Sequence, residues 1–462
     1  MALVLSITML VPAQAAYAAG GQAEESGLDV HADGRAADAD GFEIEDGVLR
    51  KYTGTATEVV IPEGVTSIES SAFMNCNSME KIIIPKEVTS IGVYVFSGCS
   101  NLATIKVEEG NEIYDSRENC NAVIETKSNT LIKGCKNTII PEGVVRIGER
   151  AFYGCSNLMG IKIPASVSSI GGEAFYGCSL TEINIPEGVK LEKAAFRGCG
   201  FISVDIPEGM SSIAEELFWQ CGRLKEINIP ASVTEIGNWA FEDCKSLEAI
   251  VIPEGVTSIG TCTFKNCVSL TEIGIPGNVT NIGDWAFSGC SGLTEISIPK
   301  RVTNIGTSIC YGCSSLASVM VEEGNPVYDS REDCNAVIET GSNTLIAGCQ
   351  NTIMPEGLAS IGGYAFHKRM GLEKINIPEG VADIGECAFW QCSNLKEVTI
   401  PESVEIIGAG AFQECSEELV IYGKTGSYAE IYAKVNNIKF SSTGAALNPF
   451  ERKTISSNNV AL

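Results

Sequence analysis

The sequence predicts a β-rich α/β solenoid of short strands and short helical turns, about 23 residues per repeat. Three observations carry that reading. A pattern close to I-P-E-G-V-T-S-I-G-x-x-A-F-x-G-C-S-x-L-T-E-I recurs in phase, with a clean copy from Ile275 to Ile298. Its proline counts the copies: Pro62, Pro85, Pro141, Pro164, Pro186, Pro207, Pro230, Pro253, Pro276, Pro299, Pro355, Pro378 and Pro401, mostly 23 apart with two gaps of 56. Finally, one copy has too few apolar side chains to offset the entropy of ordering it, so the copies must stack.

Each part of the repeat has a local reason. Leu293-x-x-Ile296-x-Ile298 puts Ile296 and Ile298 on one face of a strand, with Glu295 and Ser297 on the other. Pro299 stops that strand because it has no N–H to donate. Ile-Pro-Glu-Gly suits a type I turn. Val-Thr-x-Ile-Gly is a second extended piece. Ala286-Phe287 to Cys290 reads as one helical turn with the Phe and Cys on one face.

In chain order, residues 1–18 read as a secretory signal, because an apolar core precedes small-residue sites at Ala13-Gln14-Ala15 and Ala16-Tyr17-Ala18. Residues 19–41 read as a disordered acidic linker. The solenoid spans 42–440. It opens on a hairpin N-cap, where Asp46-Gly47 divides two extended runs. The two long gaps hold one insertion in two copies, at 107–141 and 321–355, displaced by 214 residues and read as protruding hairpins. The end reads as a helix-strand C-cap, with Ser427 and Glu430 forming a capping box ahead of a short helix and the strand 438–440. Residues 441–462 read as a disordered tail.

Nineteen cysteines in an exported chain raise the question of disulfides. Twelve, among them Cys178, Cys267 and Cys290, follow the aromatic column by three residues and read as a ladder of small buried thiols. Within each insert a tight turn sets two cysteines nearly opposite, so Cys120 with Cys135 and Cys334 with Cys349 are the disulfide candidates, four free thiols being the alternative.

The period, the A-F-x-x-C box and the L-x-x-I-x-I-P strand resemble the BspA-like leucine-rich repeats of bacterial surface proteins. The resemblance covers about residues 42–440. It implies a leucine-rich-repeat solenoid, secreted or displayed at the cell surface, and the family's association with adhesion.

The chain carries a net charge of −26, which argues against nucleic acid and anionic membranes as partners. No integral membrane segment is expected after signal cleavage. His31 and His367 are the only histidines, so histidine catalysis has almost no material. Cys310-x-x-Cys313 falls on packing columns, Gly423-Lys424-Thr425 lacks the glycine that opens a P-loop, and Glu108, Glu109, Asp115 and Glu118 read as a solvated acidic loop. No catalytic residue, cofactor or metal is expected. Two faces are candidates for binding. On the sheet face stand Glu182, Asn184, Asp205, Glu226, Asn228, Glu272, Glu295 and Ser297. One residue past the phenylalanine column stand the aromatics Tyr153, Tyr176, Trp219 and Trp390. The expectation is a noncatalytic protein that binds an extracellular protein or glycan, such as a host matrix protein, in adhesion. A structural envelope protein, binding its own cell's wall or other copies of itself, is the alternative, and the repeat region of a larger enzyme or toxin is a third.

Overall fold

A computed structural model describes residues 38 and 40–443. The chain divides into two units, 1–36 and 37–462. The first unit lies outside the described residues, and with it the expected signal. Most of the expected linker and the tail from 444 onward also lie outside them.

The second unit is a β-solenoid. Each coil contributes up to two strands, and most of these pair in parallel with their equivalents one coil on, although both resulting ladders are broken in places. The Ser-Ile type strands form one ladder, in which Ile236, Ile259, Ile282 and Ile305 are in register. The L-x-x-I-x-I strands form the other, in which Glu295 faces Ser318 and Ser297 faces Met320. This second ladder is discontinuous. Between Asp205 and Glu295 it keeps the strand Glu226–Asn228, paired with Ser203–Asp205, and thereafter narrows to a single bridge, Val251 to Gly274.

The expected helical turn is replaced by a run of tight turns tied alternately inward and onward. The N–H groups of Ala286, Ser288 and Cys290 donate to carbonyls three residues back, whereas those of Trp285, Phe287 and Gly289 donate to Thr307, Ile309 and Tyr311 of the next coil. That alternation requires left-handed backbone two residues before and two after the phenylalanine, as at Trp285 (φ 58°) and Gly289 (φ 73°). The site before the phenylalanine is left-handed in every copy from Ser71 to Gly410. Such a conformation is costly for most side chains, and the inter-coil bonds hold it. Among the described residues, Tyr428–Val435 (α1) is the one α-helix.

The phenylalanines stack coil on coil. Phe241, Phe264 and Phe287 have ring centroids 5.6 and 5.8 Å apart and lie nearly parallel. The cysteine ladder lies beside them. The thiols of Cys244, Cys267 and Cys290 each donate to the carbonyl of the preceding coil's phenylalanine, at 3.1–3.2 Å. Burial pushes these thiols well above their ordinary pKa.

At the N-terminal end, β1 (Phe42–Glu45) and β2 (Val48–Tyr52) form an antiparallel hairpin, and β2 pairs with Ser67–Ile68. Tyr52 packs against Phe73 with its ring tilted by 39°. At the other end, Tyr432 of α1 meets Phe412 edge-on, and the strand Lys439–Ser442 pairs with Val420–Gly423. The reciprocal capping box does not form. Glu430 accepts the N–H of Gly426, one residue early, and the Ser427 hydroxyl is buried with no partner.

The inserts are walls inside the stack and do not protrude. Ala122–Glu125 and Thr130–Gly134 pair antiparallel, and Thr130–Leu131 continues in parallel into Arg146–Ile147. Ala122 faces one core cluster and Val123 the next. The second insert repeats this arrangement.

This geometry overturns the expected disulfides, and all nineteen cysteines are free. Near the turn Ile124 opposes Leu131, a register that would set Cys120 against Cys135. A bulge at Ile132 then shifts the pairing by one, so that Ala122 opposes Gly134. One residue of slip turns a side chain to the other face. Cys120 therefore enters one core and Cys135 another, where its thiol donates to Asn121. The same slip, between Val337 and Ile338, separates Cys334 from Cys349.

Candidate binding face

The sheet-face residues expected from sequence are all exposed, but the structure divides them into three groups. Glu182 and Asn184 stand on a stretch that makes no strand. Asn184 is occupied there: its amide donates to the Ile163 carbonyl and its carbonyl accepts the Ile163 N–H, replacing ladder bonds with side-chain ones. Asp205, Glu226 and Asn228 form a second group, with Asp205 and Asn228 in register on paired strands. Glu272, Glu295 and Ser297 form a third, and they line a concavity of about 640 Å³.

That concavity lies where the ladder narrows to one bridge. Its floor includes Ile250, Ile273 and Ile296, and its outward residues include Val251, Gly274 and Met320. Sequence reasoning picked the polar members of the outward columns and passed over these three. The signal was present: V-I-P at 251–253, G-I-P at 274–276 and V-M-V at 319–321 place apolar or absent side chains where other copies hold Asn or Asp.

The aromatic column largely covers its own ring faces, although the Trp219 indole N–H is buried without a partner. Tyr153 and Tyr176 stack at 4.5 Å and 5°, so each covers a face of the other. The Arg197 guanidinium lies 3.5 Å over the Trp219 ring and 5.2 Å from the Tyr176 ring. Trp390 belongs to another cluster, with His367 at 5.0 Å, and its indole N–H donates to Glu414. All four rings are half-buried. Their faces are turned largely to one another and to arginine, leaving few faces free for a ligand.

Among the described residues, no group of three or more His, Cys, Asp or Glu is placed to hold a metal ion. Asp115 of the acidic loop is engaged by Arg117 instead, at 2.6 Å. Cys310 and Cys313 are buried in the core. No helix among the described residues is long and apolar enough to cross a membrane.

Sequence reasoning also missed a buried site at the second insert. Arg369 stands in the cysteine ladder with 1% of its surface exposed. Its guanidinium donates to the carbonyls of Gly348, Cys313, His367 and Cys310 at 2.8–3.1 Å. Beside it His367 is wholly buried, stacked on Tyr311 at 3.7 Å, with neither ring nitrogen hydrogen-bonded. Burial and the neighbouring Lys368 and Arg369 lower its pKa to about 3.

The repeat sequence has a match among known families. The BspA type leucine rich repeat region matches residues 43–133, 131–248, 211–330 and 342–442. The chain belongs to this BspA-type family. A leucine-rich repeat protein from Bacteroides ovatus is 28% identical, with 87% of this chain and 97% of that one covered and a TM-score of 0.54. One from Eubacterium ventriosum is 20% identical, with 81% and 91% covered and a TM-score of 0.43. A protein from Faecalibacterium prausnitzii described as a leucine rich cell surface protein is 20% identical, with 88% and 96% covered and a TM-score of 0.31. No curated protein matches the chain.

Proposed function

We propose that this BspA-type protein is a noncatalytic, exported scaffold that binds an extracellular protein or glycan through its sheet face, and that it acts in adhesion. The observation that carries this reading is the concavity between Val251 and Met320, where exposed apolar side chains stand beside Glu272 and Glu295. Its base is rigid, because the coils beneath it share a stacked phenylalanine core and an unbroken run of the Ser-Ile ladder. The acidic residues Glu272 and Glu295 edge it and add selectivity to the apolar contact. The self-covered aromatic column is the weaker candidate, and its role is to seal neighbouring coils.

The test is saturable binding of the full chain to immobilised fibronectin, fibrinogen, mucin and purified peptidoglycan. The expected result is binding to a matrix protein or mucin that falls at least tenfold in Val251→Asp and is unchanged in Tyr176→Ser. Binding to peptidoglycan alone would replace adhesion with an envelope role. Loss in Tyr176→Ser with Val251→Asp silent would move the site to the aromatic column.

A further inference from the structure

One line of outward positions on the sheet face runs along the stacking direction, with apolar Val251 and Met320 on either side of Gly274 and Ser297. Val251 is 79% exposed and Met320 49%, with Gly274 and Ser297 on the coils between them. On the next segment Ile353 is 70% exposed. The register is fixed by the Val251–Gly274 bridge and the Ser297–Met320 pair. Asn351 and Cys349 donate to the Ala317 carbonyl, which lays the segment carrying Ile353 over the coil of Met320. The two paired steps, Val251 to Gly274 and Ser297 to Met320, are each about 4.8 Å. Between them the Thr294 N–H donates to the Thr271 carbonyl and keeps the coils adjacent, while the Ile353 N–H turns to the Cys334 carbonyl of the insert. Gly274 leaves a notch in it that packing does not demand, since a Cβ there would meet nothing within 4 Å. Glu272 and Glu295 stand beside the line, exposed, with no cationic partner among the described residues.

We propose that this line receives an amphipathic helix laid along the stacking direction. The helix's apolar stripe sits on Val251, Met320 and Ile353, and Lys or Arg on one flank meets Glu272 and Glu295. This deepens the binding role proposed for the sheet face and rests on it. Spacing selects the helix. Successive same-face residues lie about 5.4 Å apart per helical turn but about 6.8 Å apart in an extended strand. Over three coils the helix drifts from the line by about 2 Å and the strand by about 6 Å, so only the helix keeps its apolar residues on the apolar positions. Charge selects the flank, because an acidic helix would meet two unpaired carboxylates.

The experiment uses the full chain and three synthetic peptides of about 18 residues, roughly 27 Å long if helical. Two have one Leu/Lys composition, arranged with helical period or in strict alternation. The third is a helical-period Leu/Glu peptide. Binding is read by fluorescence anisotropy at physiological ionic strength. The helical Leu/Lys peptide is expected to saturate at least tenfold more tightly than the alternating one, and the Leu/Glu peptide not to bind. Val251→Asp and Gly274→Trp each weaken the helical peptide at least tenfold. The Glu272→Gln/Glu295→Gln pair weakens it several-fold, whereas Glu187→Gln/Glu208→Gln, the same charge change on other coils, leaves it unchanged. Equal binding of the two Leu/Lys peptides, or an unaffected Val251→Asp, overturns the helix. The same variants are read on the immobilised matrix ligands. If Val251→Asp abolishes matrix binding while the peptides show no preference, the face stands and the helix falls. If it is silent in both assays, both readings fall.

Discussion

The two insert junctions, 214 residues apart, share a backbone and fill it differently. Their strand registers match pair for pair, including the bulge. At the first junction Phe96 and Cys155 occupy the phenylalanine column and the ladder, and at the second Cys310 and Arg369 stand in the same places. A large side chain is lost on one coil and a large one gained on the neighbouring coil. The acceptor is kept: the Cys155 thiol donates to Gly134, and Arg369 donates to its equivalent, Gly348. Each junction also buries a cation. Lys133 supplies it in the first, where Ala347 is the counterpart in the second. The comparison teaches that the backbone specifies volume and a donor at this point but not a residue type. Two isolated oddities of sequence, a cysteine in the phenylalanine column and an arginine in the ladder, form one compensating pair.

Breaking that pair should give the largest effect. Arg369→Cys leaves carbonyls buried without donors and a void beside the small Cys310. It is expected to destabilise the C-terminal coils by about 3 kcal/mol or more. Adding Cys310→Phe rebuilds the first junction's filling and should recover more than half of that loss. Urea unfolding, with hydrogen exchange to localise it, checks both, since a long repeat array need not unfold in one step. A double variant no more stable than the single one would mean that the two positions are not coupled.

A smaller effect should be equal at both junctions, because it touches what they share. A Cβ on Gly134 would lie 2.1 Å from the Phe152 ring, and one on Gly348 2.2 Å from the Phe366 ring. Gly134→Ala and Gly348→Ala should each cost about 1–3 kcal/mol through overpacking. A marked inequality between them in the same unfolding experiment would show that the junctions differ in backbone slack as well as in filling.

The period made the solenoid legible, because a pattern kept in phase over so many copies leaves few ways to stack. The hairpin at Asp46-Gly47 was legible from its turn residues, both at positive φ. What escaped depends on contacts between coils. Trp285 adopts left-handed backbone because its N–H is bonded to Thr307, and nothing local to Trp285 announces that. The local clue was two residues past the phenylalanine, where Gly289, Asn266 and Asp243 are residues that tolerate positive φ. The bulge that separates Cys120 from Cys135 leaves no mark in composition. On the sheet face the polar residues picked from sequence stand exposed, but a rule that sought polar residues stepped over Val251 and Met320. Cys310 and Arg369 were each visible as departures, and only the fold brings them together.

The mildest test separates the junctions by pH, because each buries a different titratable group. His367 is held neutral in the fold, with its pKa lowered to about 3 from the usual 6.5. Below pH 6.5 the unfolded chain takes up a proton that the folded chain refuses, so the second junction loses stability as pH falls from 6.5 toward 3. Lys133 is pushed down to about 8, by burial first and by Arg150 second, from the usual 10.5. Between pH 8 and 10.5 the unfolded chain again holds the extra proton, so the first junction gains stability as pH rises through that window. Both slopes have the same sign, and they lie in different windows on different coils. Hydrogen exchange over 130–135 should therefore slow, relative to its intrinsic rate, between pH 8 and 10, and exchange over 366–370 should quicken below pH 6. His367→Tyr, which installs the residue that stands at 153, should flatten the acid limb and leave the alkaline one intact. Lys133→Met should do the reverse. If either variant flattened both limbs, the two junctions would be opening as one unit, and their different fillings would not make them independent.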